Sequence, residues 1–330
     1  MKKLENIGVI GLGYVGLTLA AVLSERGFRV TGVDTDNSLV ERLNKGEPHF
    51  YEKGLPLAIK KNLGKGLFFD NHVPLNQDAF ILCVGTPIDK KTKAPILTYV
   101  EDSAEQIVNN INDGNLIVLR STVPIGATRN IVKPILDKSG KKYSLSFCPE
   151  RTIEGRALEE LKGLPQIIGG INEDSVDLSF DLFKRVTNTI IKMSSLESAE
   201  MVKLLCNSYR DIVFAYANEV ALICEKVGLD PNEVINASNS SYDRAKIPSP
   251  GFVGGLCLQK DPHILSECIS KTDYIPKIIT KGREMNEYLV DYVLGRIKGK
   301  TTPKDKVFVS GLAFKGRPET DDIRASPSME

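Results

Sequence analysis

The stretch PGFVGGLCLQKDP, residues 250–262, sets Cys257 just after Gly254 and Gly255 and four residues before Asp261, with Lys260 between them. A thiolate there can attack an electrophilic carbon, the glycines allow a ligand to approach the backbone, and Lys260 or Lys203 can lower the thiol pKa. The alternative is a buried, inert thiol, the reading given to Cys83, Cys148, Cys206, Cys224 and Cys268. A second set, Lys203, Asn207 and Arg210, falls at i, i+4 and i+7 and so shares one helical face, with Asn218 and Glu219 about two turns on. Such residues usually face water. Here Met201, Leu204, Leu205, Ile212, Val213 and Phe214 surround them, which argues for burial, and a buried polar stripe needs partners such as an anionic substrate.

A third set opens the chain. Gly11, Gly13 and Gly16 fit GxGxxG between an apolar run at 6–10 and a helical pattern through Leu17, Ala20, Ala21 and Leu23. In that context the glycines serve a tight turn, an approach to pyrophosphate and a close helix–strand contact, with free helix N–H groups aimed at phosphate. Asp34 ends the second strand, where a carboxylate accepts ribose hydroxyls and repels a 2′-phosphate, so NAD is expected over NADP. FAD-binding chains open in a similar way.

These residues need a scaffold. Further strand-like runs at 79–87, 115–124, 143–150 and 165–170 alternate with helical patterns, which predicts an α/β fold with a mainly parallel, doubly wound sheet. Ligands in such sheets sit beyond the strands' carboxyl ends, where Thr86, Ser121, Thr122 and Glu150 fall. From 194 to 228 the pattern is one long helix with Ser195 or a nearby serine as N-cap and Gly228 as its stop, followed by shorter helices and a late strand at Val307–Ser310. The expected organisation is a Rossmann-type NAD domain at 1–193, a helical central and dimerisation domain at 194–299, and the start of a truncated third domain at 300–330.

Bulk properties narrow the partners. At 330 residues the chain exceeds one ordinary core, and 43 Lys plus Arg against 42 Asp plus Glu leaves no broad field for nucleic acid or a membrane surface. Apolar runs are strand-length, the N-terminus meets a glycine turn where a signal peptide needs an unbroken apolar stretch, and the six cysteines are scattered. A cytoplasmic protein with reduced thiols is expected. The three histidines are isolated and no CxxC occurs, so metal-ligand spacing is absent.

With these pieces in order, the chain resembles the UDP-glucose/GDP-mannose dehydrogenase family over essentially its whole length. The residues carrying the resemblance are GLGYVG (11–16), CVGTP (83–87), STVPIGAT (121–128), PERTIEG (149–155), the Lys203–Asn207 helix with NSYRD, GGLCLQKD (254–261) and GLAFKGRPETDDIRASP (311–327). The resemblance implies NAD-dependent, four-electron oxidation of a sugar-nucleotide C6 alcohol to a carboxylate, through an aldehyde and a cysteine-bound thioester. It makes Cys257 the nucleophile, Lys203 and Asn207 the pair stabilising charge on the C6 oxygen, and Asp261 the acid that orients lysine or water. Glu154 and Thr122 match positions associated with the hydrolytic water and general base. Cofactor contacts carry over to Gly11, Gly13, Tyr14, Val15, Gly16, Asp34, Thr86, Thr122 and Arg324. Substrate contacts carry over to Glu150, Arg151, Thr152, Lys203, Asn207, Arg210, Arg244, Phe252, Gly254, Phe314 and Lys315.

PER and NSYRD point to a UDP-N-acetylhexosamine, first UDP-N-acetyl-D-mannosamine and then UDP-N-acetylglucosamine, whereas the Lys-Asp pair of GGLCLQKD is the form of glucose-type members. Family members continue into a further domain, so this chain is expected to bind NAD while turning over UDP-sugar weakly or not at all. The long helix suggests a homodimer. Two other readings stay open: a two-electron β-hydroxyacid dehydrogenase, which has no use for Cys257, and a non-catalytic NAD-binding scaffold.

Overall fold

The computed structural model describes residues 3–270 and 272–329. Strands β1 (Asn6–Ile10), β2 (Arg29–Val33), β3 (Leu67–Asp70), β4 (Ala79–Leu82), β5 (Asn115–Leu119), β6 (Tyr143–Phe147), β7 (Gln166–Gly170) and β8 (Ile190–Lys192) form one sheet of order β3-β2-β1-β4-β5-β6-β7-β8. Neighbours run parallel except β6 and β7. Helices α1 (Tyr14–Glu25), α2 (Asn37–Asn44), α3 (Leu55–Asn62), α4 (Thr98–Ile107), α5 (Lys133–Asp137), α6 (Ala157–Gly163) and α7 (Glu173–Phe183) connect them.

The strands read as nearly continuous apolar runs because both faces are covered. Ala79 and Ile81 of β4 join one apolar cluster with Leu17, Leu23, Leu43, Ile59 and Phe183, whereas Phe80 and Leu82 join a second with Val100, Ile107, Val132 and Leu136. This is the doubly wound arrangement expected from the sequence. Two strands escaped the sequence reading: β3 is four residues long and β8 three, too short to show a period.

Helix α8 (Leu196–Val227) is the long helix expected, with Ser195 Oγ accepting from the Ser198 N–H at 3.1 Å and Gly228 beyond its end at φ +75°. Then follow α9 (Pro231–Asn239), α10 (Asp261–Glu267) and α11 (Lys277–Lys298). The chain divides into two compact units, Met1–Lys203 with Arg317–Asp321, and Leu204–Gly316 with Asp322–Glu330. The division falls inside α8, whose first turn packs Leu196 and Ala199 into the sheet's second cluster. The strand expected at Val307–Ser310 does not form. Among the described residues the second unit contains no strand, so this exposed segment has no ladder to satisfy its backbone. No described helix is long and apolar enough to cross a membrane.

Candidate active site

In the first unit, the three glycines of the opening turn have separable duties. Gly11 sits at φ +89°, a Cβ on Gly16 would overlap the Gly11 carbonyl oxygen, and a Cβ on Gly13 would meet nothing within 4 Å. The first is a conformational need, the second a packing need, and the third leaves open space at the start of α1, which has no side-chain cap on its free N–H groups. A cavity of about 340 Å³ opens there, lined among others by Gly13, Asp34, Gly85, Tyr99, Asp102 and Gln106. Asp34 accepts from the Leu12 N–H at 2.8 Å and the Asp36 N–H at 3.1 Å, which fixes its carboxylate at that cavity. These residues fit a dinucleotide: an N–H-lined turn for pyrophosphate and a carboxylate for ribose. The sequence reading missed Tyr99, Asp102 and Gln106, since an ordinary helix face carries no motif. Val15 packs against the core, Tyr14 donates its hydroxyl to Glu52, and Thr86 is buried. Ser121 Oγ donates to the Val84 carbonyl at 2.7 Å, joining the loops after β4 and β5, with half-buried Thr122 next along.

The loop after β6 is braced from within. Glu150 is buried and pairs with Arg120 at 2.5 Å, while its other oxygen accepts from the Arg151 and Thr152 N–H groups, each at 2.7 Å. Burial alone would raise its pKa, but the Arg120 charge, these hydrogen bonds and the Lys203 charge outweigh burial and hold the carboxyl below its ordinary value. Arg120 was not anticipated, because nothing in STVP marks the preceding arginine as buried. The Arg151 guanidinium donates to the Pro165 carbonyl, and the Thr152 hydroxyl is buried without a hydrogen-bond partner among the described residues. Glu154 is half-buried and accepts from Thr320 Oγ1 at 3.4 Å. Lys203 is 8 % exposed, so this lysine does not belong to a solvated face. Burial pushes the Cys83 and Cys148 thiols up to about 12, which fits their reading as inert.

In the second unit, Asp261 is fully buried and uses both oxygens: Asn207 Nδ2 donates to one at 2.6 Å and Lys260 Nζ to the other at 2.7 Å. The Asp261 N–H donates to the Cys257 carbonyl at 2.9 Å, so α10 starts directly from the cysteine's turn. Cys257 itself is exposed. The flanking glycines have a different cause from the one expected. A Cβ on Gly255, at φ +91°, would lie 2.8 Å from the Phe314 ring, and one on Gly254 would lie 2.6 Å from Pro327 Cδ and 2.8 Å from the Ala325 carbonyl. The chain's own segment 314–327 fills the space that was reserved for a ligand.

The buried stripe of α8 also needs correction. Asn207 is followed one turn on by Asp211, fully buried, whereas Arg210 is exposed, as is Leu205. Arg283 Nη1 donates to Asp211 at 2.7 Å and to the Leu258 carbonyl at 3.1 Å, and Asn286 bridges Asp211 and Asn218. Spacing alone could have suggested Asp211, which continues the i, i+4 series from Lys203 and Asn207. Arg244 and Phe252 are exposed, Lys315 lies 5.3 Å from the Phe314 ring centroid, and Arg324 is exposed and paired with Asp322 at 2.8 Å.

Comparison with known proteins bears on this arrangement. Residues 5–187 match the model for the NAD-binding domain of the UDP-glucose/GDP-mannose dehydrogenase family, and residues 197–288 match its central domain. The UDP-N-acetyl-D-mannosamine dehydrogenase of Methanococcus vannielii is 37% identical over 100% of this chain and 76% of its own length. A structure of a UDP-D-ManNAc dehydrogenase from Pyrococcus horikoshii has a TM-score of 0.90 at 31% identity, covering 98% of this chain and 79% of that one. A UDP-glucose dehydrogenase from Pyrobaculum islandicum has a TM-score of 0.89 at 31% identity, covering 99% and 78%.

Proposed function

This chain belongs to the UDP-glucose/GDP-mannose dehydrogenase family, and from that premise we propose that it oxidises the C6 alcohol of UDP-N-acetyl-D-mannosamine to the carboxylate in two NAD-dependent steps. It is an NAD-dependent oxidoreductase. With its pyrophosphate and a ribose held at the Gly13–Asp34 cavity, NAD would supply the hydride acceptor. The observation that best supports a four-electron reaction is exposed Cys257 on a turn tied to buried Asp261, which holds buried Asn207 and half-buried Lys260. A two-electron hydroxyacid dehydrogenase has no use for that thiol.

In this reading Lys203 and Asn207 stabilise negative charge on the C6 oxygen as the alcohol is oxidised. Asp261 holds Asn207 in position for that task. Cys257 as thiolate then adds to the aldehyde carbon, and loss of hydride from that adduct leaves a thioester. Glu154 and Thr122 position and deprotonate the water that cleaves it. Arg151, Thr152, Arg210, Arg244, Phe252, Phe314 and Lys315 form the expected substrate set, with Glu150 bracing the loop that carries the first two, while Gly254 leaves the set because Ala325 and Pro327 pack against it. Arg324 joins the cofactor set. Residues 1–193 are assigned to cofactor, 194–299 to the central domain and 300–330 to the start of a UDP-binding region.

UDP-N-acetylglucosamine is the second substrate reading and UDP-glucose, which the Lys260–Asp261 pair favours, the third. The relatives' names favour N-acetylmannosamine. The scattered cysteines, none in a disulfide among the described residues, support a reducing, cytoplasmic setting. A second copy of the chain is the proposed partner, seated on the exposed apolar stripe Leu205, Tyr209, Tyr216, Ile223 and Val227 of α8.

The test is product analysis by mass spectrometry with a panel of UDP-sugars, on a chain extended to the full length of its relatives. Two NADH per uronic acid is the expected result, and one NADH with a ketone product overturns the reaction type. Cys257→Ser should stop acid formation while NAD affinity stays within about twofold; undiminished acid formation removes the nucleophile.

A further inference from the structure

Glu52 lies between α2 and α3, outside every motif considered above, and is 2 % exposed. Its carboxylate accepts from the Tyr14 hydroxyl, from the Gly155 N–H at 2.7 Å and from the Ala157 N–H at 2.9 Å. The Tyr14 hydroxyl also reaches the Ile153 carbonyl at 3.3 Å. Glu154 is therefore gripped on both sides, at the carbonyl before it and the N–H after it. Gly155 stands at φ +89°, where a Cβ would lie 2.6 Å from the Glu319 carbonyl, so the grip holds a backbone conformation that an alanine would not adopt without strain. Burial and the Glu52 carboxylate both push the Tyr14 phenol pKa up, which keeps it a hydrogen-bond donor.

We propose that Glu52 is a positioning residue for Glu154, acting through the Gly155 and Ala157 N–H groups and through Tyr14 of the cofactor turn. The proposal rests on the reading of Glu154 as the residue serving thioester hydrolysis. In that step water adds to the thioester carbonyl carbon, its proton passes to the Glu154 carboxylate, the C–S bond breaks, and sulfur leaves as Cys257 thiolate. No electrons change hands. A glutamate that only capped α6 would affect stability without singling out one chemical step. A glutamate that aims the base should slow hydrolysis and leave both oxidations running.

The experiment mixes wild-type, Glu52→Gln and Glu154→Gln proteins, each extended to the full length of the relatives, with saturating NAD and the UDP-sugar, follows NADH by stopped flow and weighs the quenched protein. Glutamine has one acceptor oxygen, so it cannot serve all three donors. Glu52→Gln should show a burst of about two NADH per active site, a steady rate about 10- to 100-fold below wild type, and an acyl adduct on the Cys257 peptide. Tyr14→Phe, which leaves Glu52 bonded to both N–H groups, should show the same pattern more weakly. Without turnover, amide exchange at 153–157 should be at least about tenfold faster in Glu52→Gln, with the β4 and β5 amides unchanged. Loss of both oxidation and hydrolysis in equal measure, a wild-type steady rate, or unchanged exchange overturns the proposal. An acyl adduct missing from Glu154→Gln as well overturns the reading of Glu154 instead.

Discussion

At the scale of single residues, glycine carries much of the information, and for unlike reasons. Gly13 is bare toward a cavity, whereas Gly254 and Gly255 are bare because Phe314, Ala325 and Pro327 come so close. Sequence cannot separate these cases, since the neighbour that forbids a Cβ lies far along the chain. Gly255→Ala should therefore destabilise the protein by about 1–3 kcal/mol, from the strain of a left-handed alanine alone, with more added by the Phe314 overlap. Gly13→Ala, with no steric neighbour, should leave stability within about 0.5 kcal/mol and weaken NAD binding at least about tenfold. Thermal unfolding and NAD titration of the two variants provide the check.

At the scale of elements, the loop after β6 depends on a buried ion pair reached from β5. Arg120→Met leaves Glu150 buried beside Lys203 but without its principal countercharge, a loss of about 3–5 kcal/mol at neutral pH. The sign of its pH dependence follows from the direction of the shift. Glu150 is held below its ordinary pKa in the folded protein, so its contribution is full above the unfolded carboxylate range and is lost as pH falls through the folded value. Without Arg120, burial raises that pKa, and stability is lost as pH rises through it. Urea midpoints should thus differ most at pH 7 and converge toward pH 4; a gap that widens on acidification would refute the assignment.

Element by element, the long periodic segments were legible: β1, α1, β2 and α8 stand where apolar spacing and glycine stops put them. What was not legible was tertiary. Asp211 and Arg210 are equally plausible by spacing, and only Arg283, distant in sequence, makes Asp211 the buried one. Likewise Val307–Ser310 has strand composition but no strand beside it. Of the candidate site residues, the fingerprint turn in the first unit and Asn207 and Asp261 in the second were named from the sequence, while Arg120, Glu52 and Tyr99 of the first unit were not.

At the scale of the whole molecule, α8 and α11 leave apolar surface uncovered. Leu205, Tyr209, Tyr216, Ile223 and Val227 recur on α8, and Tyr216 also lines a groove of about 740 Å³ with Ile212, Ile278, Met285 and Tyr288. Contiguous apolar surface of this kind is what an association face offers. In the proposed homodimer, Tyr216→Asp combined with Ile278→Glu should shift sedimentation from dimer to monomer at micromolar concentration without lowering NAD affinity. Unchanged sedimentation would move the interface elsewhere.

The contrast among the thiols reaches beyond catalysis. Cys83 and Cys148 are sealed in the sheet, whereas the sulfur proposed to receive the sugar aldehyde is open to solvent. Access for an aldehyde is also access for peroxide, which converts a thiolate to a sulfenic acid. Stored in air, the protein should lose acid formation before it loses its fold. Dithiothreitol should restore that activity until the sulfur passes to the sulfinic state, after which the molecule remains a folded NAD-binding protein with no acyl carrier.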